Sequence, residues 1–407
     1  MRFAFVTTEF PTSMPTAGGL STYVARMSQL LAEAGHEVEI FVPVERSAGV
    51  QTWNGCRVHH VQRRRSPLSR LWNRLLRLTG QRPLMLQRLF AANATAIAAA
   101  VEQVQADAPF DVVHSADHRG IGLHLARRPG RLLVVRCSAA MDLYMACDGW
   151  QGEGSHWQAA LEETTVRRAD LAFAPSRFVA DHYSRKLGRP VQVLRPPAYL
   201  EMTAPDLPEA ATHPGPLPAR YLIHFAAGLI PRKGTDLVAA ALQQALRDEP
   251  GLIMIWVGLL DPASRAAWLA PLGAAAAQVI CLPPLPKPEL YALVRAAVAA
   301  VLPSRVDNLP NTVIESLMLG VPVIGSRASS IEELVEDRVT GALVDNGATG
   351  PLAEAMIMAW RGTLPLRRNM PWARTAKALP FQPEAALQAY LAAISAARAV
   401  QPNDTSM

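Results

Sequence analysis

The sequence is poor in cysteine and lysine and has no long apolar run. Its four cysteines, Cys56, Cys137, Cys147 and Cys281, form no Cys-x-x-Cys pair and have no His cluster beside them. A disulfide framework and a structural zinc site are thereby excluded as organising features, and a reducing compartment is expected. No stretch reaches the ~18–20 consecutive apolar residues that span a bilayer. Residues 3–6 are apolar, but Thr7, Thr8, Glu9 and Pro11 end the run too early for the apolar region of a signal peptide, so a cytoplasmic location is expected. Gly-x-Gly-x-x-Gly is absent, which removes the nicotinamide-dinucleotide fingerprint. A large excess of one charge sign is also missing: 40 basic residues face 34 acidic ones, a balance that does not point to nucleic acid.

What is present suits a two-domain globular chain. At 407 residues, 50% hydrophobic and 18% charged, it exceeds a single core and has ample material for two. Short apolar runs at 3–6, 37–42, 112–113, 132–135 and 171–174 alternate with segments of helical period such as 21–34, which predicts βαβ units and a parallel sheet. Five prolines (205, 208, 214, 216 and 218) then fall within 203–220, a density that predicts a linker or long loop. The alternation restarts with strands at 221–226, 252–257, 279–281, 299–302 and 321–325. Helices are expected at 235–247, 288–297 and 312–319. The expected organisation is a first α/β domain over 1–200, a Pro-rich linker over 201–219 and a second α/β domain over 220–380. A last helix over about 383–398 is a candidate to pack back on the first domain.

Residues 63–78 differ in kind. They carry six arginines and no acid, and Leu68, Leu71, Trp72, Leu75 and Leu76 recur at helical spacing. The segment reads either as a solvated surface helix or as a basic amphipathic face for an anionic membrane surface or an anionic acceptor.

Three loops hold candidate chemistry. Gly18-Gly19-Leu20 lies between the first strand and a helix. Its glycines either make a tight turn or let the backbone and the helix N-terminus approach a phosphate. Pro231-Arg232-Lys233-Gly234-Thr235 places two cations at the carboxyl end of a strand, where α/β sheets bind ligands, and Arg and Lys can neutralise a diphosphate. The most specific run is Asp307-Asn308-Leu309-Pro310-Asn311-Thr312-Val313-Ile314-Glu315. Its two carboxylates straddle a helix start and can flank a phosphate-sized space. A plainer reading stands beside it: Thr312-x-x-Glu315 matches a capping box, as Ser329-x-x-Glu332 does.

In order, Gly18-Gly19-Leu20, Lys233-Gly234 and Asp307-x7-Glu315 resemble the signature of the retaining nucleotide-sugar glycosyltransferases of family 4. Ala34-Gly35-His36-Glu37-Val38, residues 111–114, Ala169-Asp170 with Ser176, and residues 333–341 fall in the same family order, so the likeness covers roughly 1–350. The resemblance implies the GT-B fold, two Rossmann-like domains facing across a cleft, with the acceptor in the first and the nucleoside diphosphate sugar mainly in the second. It also implies transfer to a hydroxyl acceptor such as a polysaccharide, a lipid-linked oligosaccharide or a small glycoside. By this likeness Glu315 bonds the ribose, Arg232 or Lys233 the diphosphate, and Asp307 with Asn308, Leu309, Pro310, Asn311 and Thr312 the sugar. Gly18 and Gly19 approach the phosphates. No cofactor and no metal are implied, in keeping with the absence of an Asp-x-Asp pair.

The chain departs from the family in three places. Asp307 stands for a Glu, Ala227-Gly228-Leu229 lacks an Arg common before the Lys-Gly loop, and Arg136-Cys137-Ser138-Ala139 lacks a His common after a first-domain strand. These losses leave two alternatives, an inactive GT-B scaffold subunit and a nucleotide-sugar isomerase. Asp117 and His118 end another strand and read either as a surface loop or as residues facing the cleft, the surface loop being preferred.

Overall fold

The structure is a computed structural model that describes residues 1–13, 18–63, 72, 74–76, 78–138, 140–149, 153–201, 217–258, 261–364, 366 and 372–400. Most of the Pro-rich stretch (202–216) and the core of the arginine-rich segment (64–71, 73 and 77) lie outside the described residues. The chain divides into two compact units. One is Met1–Pro197 together with Pro383–Met407, and the other is Ala198–Gln382.

The first unit is built on β1 (Arg2–Val6), α1 (Gly19–Glu33), β2 (Glu37–Val44), β3 (Gly49–Trp53), β4 (Cys56–Gln62), α2 (Arg82–Asp107), β5 (Val112–Ala116) and β6 (Leu132–Arg136). It continues through α3 (Met141–Asp148), α4 (Glu153–Arg167), β7 (Leu171–Ala174), α5 (Arg177–Leu187) and β8 (Gln192–Val193). Its strands lie in the order β3-β4-β2-β1-β5-β6-β7-β8, and every pair is parallel except β3 with β4. The apolar runs become central strands because both faces are covered. Phe3, Ala4 and Phe5 of β1 and all five residues of β5 are buried, which is why they show no alternation. The expectation had no hairpin at 49–62. Asn54 (φ 43°) and Gly55 (φ 79°) turn the chain there, in the manner of a two-residue hairpin that needs positive φ at both positions.

Buried charge holds the edge of this sheet. Glu39 of β2 accepts from Arg2, from Arg57 (2.6 Å) and from His59 (2.6 Å), and the Arg2 guanidinium also lies over the Phe110 ring. Burial alone would raise the Glu39 carboxyl, but the His59 and Arg57 hydrogen bonds and the Arg2 charge outweigh it and lower the pKa to about 2.

The last helix, α11 (Pro383–Val400), belongs to this first unit. Tyr390 carries the contact. Its hydroxyl lies 2.6 Å from His114 Nδ1 inside a cluster with Phe3 and Phe173, and Arg398 donates to Asp111 (3.1 Å). Burial, with repulsion from Arg136 added, lowers the His114 imidazole to about 3, so it is neutral here.

The second unit runs through β9 (Leu222–Phe225), α6 (Thr235–Asp248), β10 (Met254–Val257), α7 (Pro262–Leu269), β11 (Val279–Leu282), α8 (Lys287–Ala296), β12 (Ala299–Leu302) and α9 (Asn311–Met318). β13 (Val323–Ser326), β14 (Gly341–Val344) and α10 (Thr349–Arg361) complete it. Its sheet, β11-β10-β9-β12-β13-β14, is parallel throughout. From β9 the chain winds outward through β10 to β11 and then crosses back to β12. The strand order therefore reverses between β9 and β12, the place where open α/β sheets leave a crevice at the carboxyl ends.

Candidate active site

The two loops singled out in the second half of the sequence follow the two strands at this reversal. The 3-10 turn Pro231–Lys233 comes after β9, and the Asp307 loop comes after β12. They are fastened together by backbone: the N–H groups of Arg305 (2.8 Å) and Val306 (3.2 Å) both donate to the Arg232 carbonyl. The Arg305 guanidinium adds a two-pronged bond to Asp236 (2.6 Å each) and a third to the Pro231 carbonyl (2.6 Å).

Gly234 makes this closeness possible. It sits at φ +71°, and a Cβ there would lie 2.2 Å from the Pro303 carbonyl oxygen, so only glycine fits. The residue beside it, Lys233, then reaches across and donates its ammonium to the Asp307 carboxylate. Asp307 is buried and also accepts from the Asn308 N–H (3.0 Å). Asn308 and Pro310 are buried, whereas Leu309, Asn311 and Thr312 are half-buried.

Glu315 sits one turn into α9 on its buried side. The capping-box reading of Thr312 and Glu315 is overturned: α9 starts after Pro310 with no side-chain cap, and the Glu315 carboxylate points elsewhere. It accepts from the Lys287 ammonium at the start of α8 and, at 3.4 Å, from the Tyr291 hydroxyl one turn on. By contrast, Ser329 does cap (Ile331 N–H, 3.3 Å), and Glu332 bonds the Ala328 N–H (2.8 Å).

Lys287 and Tyr291 carried no motif in the sequence. One signal was available: lysine is scarce here, and two of the four lysines pair with the two candidate carboxylates. Each carboxylate thus has a cation within bonding reach at the carboxyl edge of a parallel sheet. Such a constellation can bind an anion and hydroxyls together, with the lysines as point charges and the acids as acceptors.

Gly18 and Gly19 belong to the other unit and are described by themselves. The α1 start already holds an anion, since Glu9 Oε1 accepts from the N–H groups of Gly18 (3.1 Å) and Ser21 (3.2 Å). The amide expected to be open at Gly18 is therefore committed to Glu9, a partner the sequence pattern did not reveal.

The surface-loop reading of Asp117 is corrected as well. It is buried, accepting from the Ser138 N–H (2.7 Å) and the Tyr183 hydroxyl (3.2 Å), and burial with the nearby Glu162 charge pushes its carboxyl up. Arg136, which opens the run without the family's His, is buried with its guanidinium 4.3 Å over the Tyr23 ring and donates to Ser138 Oγ (2.8 Å).

At the carboxyl ends of β1 and β2 the same unit holds a cavity of about 680 Å³, walled by Thr8, Thr12, Ser13, Glu45, Gln51 and His60 among others. Thr12 Oγ1 and His60 Nε2 are 3.0 Å apart on its wall. Among the described residues, no group of three His, Cys, Asp or Glu side chains is placed to hold a metal ion.

Comparison with known proteins decides what this scaffold belongs to. Residues 18–198 match the family described as "Glycosyl transferase 4-like domain", and residues 220–361 match "Glycosyl transferases group 1". The chain belongs to this glycosyltransferase family. The glycosyltransferase is 28% identical over 364 residues to a D-inositol 3-phosphate glycosyltransferase of Catenulispora acidiphila, covering 84% of this chain and 82% of that one. Its fold is similar to sucrose-phosphate synthase from Thermosynechococcus elongatus (TM-score 0.74, 19% identity, 97% of this chain and 99% of that chain). It is also similar to Anabaena HepE solved in complex with UDP-glucose (TM-score 0.65, 15% identity, 97% and 100%). The two parallel-sheet units are those of the GT-B fold, and the chemistry is glycosyl transfer from a nucleotide-sugar donor.

Proposed function

We propose that this chain is a retaining hexosyltransferase that moves a sugar from a nucleoside diphosphate sugar to a hydroxyl of a glycan, lipid-linked or small-glycoside acceptor, without a metal. The observation that carries this reading is the paired arrangement Lys233–Asp307 and Lys287–Glu315 at the strand-order reversal of the second unit. Negative charge develops on the departing diphosphate, and a preplaced ammonium lowers that barrier without reorganising at the moment of reaction. In this reading Lys233, with Arg232, turns to the diphosphate. Glu315 accepts from the ribose hydroxyls, and Asp307 with the 308–312 loop holds the transferred sugar.

The pairings of the unliganded chain fit such a role. Each lysine pairs with a buried carboxylate until hydroxyls and phosphates take its place. The α1 start can offer its amides to a phosphate only where the Glu9 carboxylate gives way. The hydroxyl-lined cavity at β1 and β2 supports a polyhydroxylated acceptor in the first unit, with Thr12, Gln51 and His60 offering both donors and acceptors.

Purified protein incubated with a panel of nucleotide sugars is expected to release nucleoside diphosphate slowly with water alone and faster with the correct acceptor. The glycoside formed should keep the donor's anomeric configuration by NMR. A change of the sugar without release of diphosphate, or binding without turnover on any acceptor, would contradict it.

A further inference from the structure

From Arg46 to Val101 the sequence has ten arginines and not one aspartate or glutamate, the longest stretch of unopposed charge near the first unit's surface. The structure adds something composition could not show. Twelve large apolar side chains are exposed among the described residues, and five of them, Trp72, Leu75, Leu78, Leu84 and Leu86, fall within fifteen residues of this stretch.

They stand on either side of a tight helical turn. Residues 72, 74–76 and 78 are helical; the Thr79 N–H donates to the Leu75 carbonyl (2.9 Å) and the Gln81 N–H to the Leu76 carbonyl (2.8 Å). Gly80, at φ +69°, then ends this helical turn before α2 begins. Leu76 is buried, while Trp72, Leu75 and Leu78 follow at i, i+3 and i+6 and are exposed. In α2 the inward stripe starts only at Phe90, which stacks on Trp157 and continues through Ala94, Ile97 and Val101. The first two turns, 83–89, have no buried residue and present Leu84, Leu86 and Arg88 to solvent.

Exposed apolar side chains that include a tryptophan and alternate with arginines are what an interfacial helix needs: burial into the acyl boundary for the leucines and phosphate contact for the arginines. We infer that the exposed side chains Trp72, Leu75, Leu78, Leu84 and Leu86, with Arg74 and Arg88, dock the first unit on an anionic lipid bilayer. A bilayer fits this surface better than an acidic protein, because the exposed leucines need an apolar phase rather than a carboxylate. Arg74 and Arg88 are exposed among those leucines in sequence, so phosphate-binding and acyl-binding side chains come from the same short stretch of chain.

The test is co-sedimentation of the full chain with phosphatidylcholine vesicles that contain or lack phosphatidylglycerol, at low and high salt. Binding is expected only to the anionic vesicles, weakening on the order of tenfold or more as ionic strength rises from about 0.05 to 0.5 M. Arg74→Glu with Arg88→Glu, and separately Leu84→Ser with Leu86→Ser, should each lower the bound fraction at least about tenfold. Circular dichroism and thermal melting, both expected unchanged, check that these surface variants fold. Equal sedimentation with neutral vesicles, no sedimentation with either kind, or a self-association that the same variants abolish would overturn the inference.

Discussion

The Lys287 ammonium at the start of α8 donates to the Glu315 carboxylate on the buried side of α9, and Tyr291 adds its hydroxyl at 3.4 Å. Removing the lysine leaves a buried carboxylate with one weak partner. Lys287→Ala is therefore expected to lower unfolding stability by ~1–3 kcal/mol, the cost of an unsatisfied buried charge. Adding Glu315→Gln to that variant should restore part of the loss, since the charge itself is gone. Urea titration of the two variants checks this; equal and additive losses would show that the pair is not coupled.

Gly234 is expected to tolerate no side chain. Gly234→Ala must place a methyl 2.2 Å from the Pro303 carbonyl oxygen at positive φ, whereas Gly228→Ala meets nothing within 4 Å. The first change should cost more than ~1 kcal/mol and displace Lys233, so turnover falls with stability. The second, in the loop where the family often has Gly-Arg-Leu, should leave stability within about 0.5 kcal/mol. Comparable melting temperatures for both variants would show that the two loops are not held in contact there.

Acid should weaken the first unit in two steps. Both His114 and Glu39 have lowered folded pKa values, so the unfolded chain binds the extra proton and stability falls as pH drops. For His114 the window runs from 6.5 down to about 3, and for Glu39 from 4.5 down to about 2. Denaturant midpoints measured from pH 8 downward are expected to be level above pH 7 and to fall below it. In Glu39→Gln the decline below pH 4.5 should be shallower. A midpoint indifferent to pH between 7 and 4 would show that these groups are not buried as described.

Much of this architecture is readable along the chain because buried parallel strands are short apolar runs and their crossovers are helices: residues 3–6, 132–135 and 299–302 became β1, β6 and β12. The hairpin at β3 and β4 was missed because β3 is an edge strand with almost no buried side chain, so hydropathy marks nothing there, although Asn54-Gly55 was a usable turn signal. At the site, Lys233, Gly234 and the Asp307 loop were visible as punctuated strand-to-helix turns. Lys287 was not, because its partner Glu315 is 28 residues away and only the fold brings α8 to α9. The capping-box pattern at Thr312 failed for the same reason, since a tertiary cation outcompetes a local amide for the carboxylate. Glu9 claimed the α1 amides in the same way, nine residues ahead of Gly18.

The decisive measurement is steady-state release of nucleoside diphosphate, with the best donor and acceptor, by the wild type and by Lys233→Ala and Glu315→Gln under conditions where all three remain folded. Both substitutions are expected to reduce kcat/KM on the order of 10²-fold or more, because each removes a charge that grips the donor as the diphosphate departs. Wild-type rates in both variants would contradict the assignment of the donor site to the β9 and β12 loops.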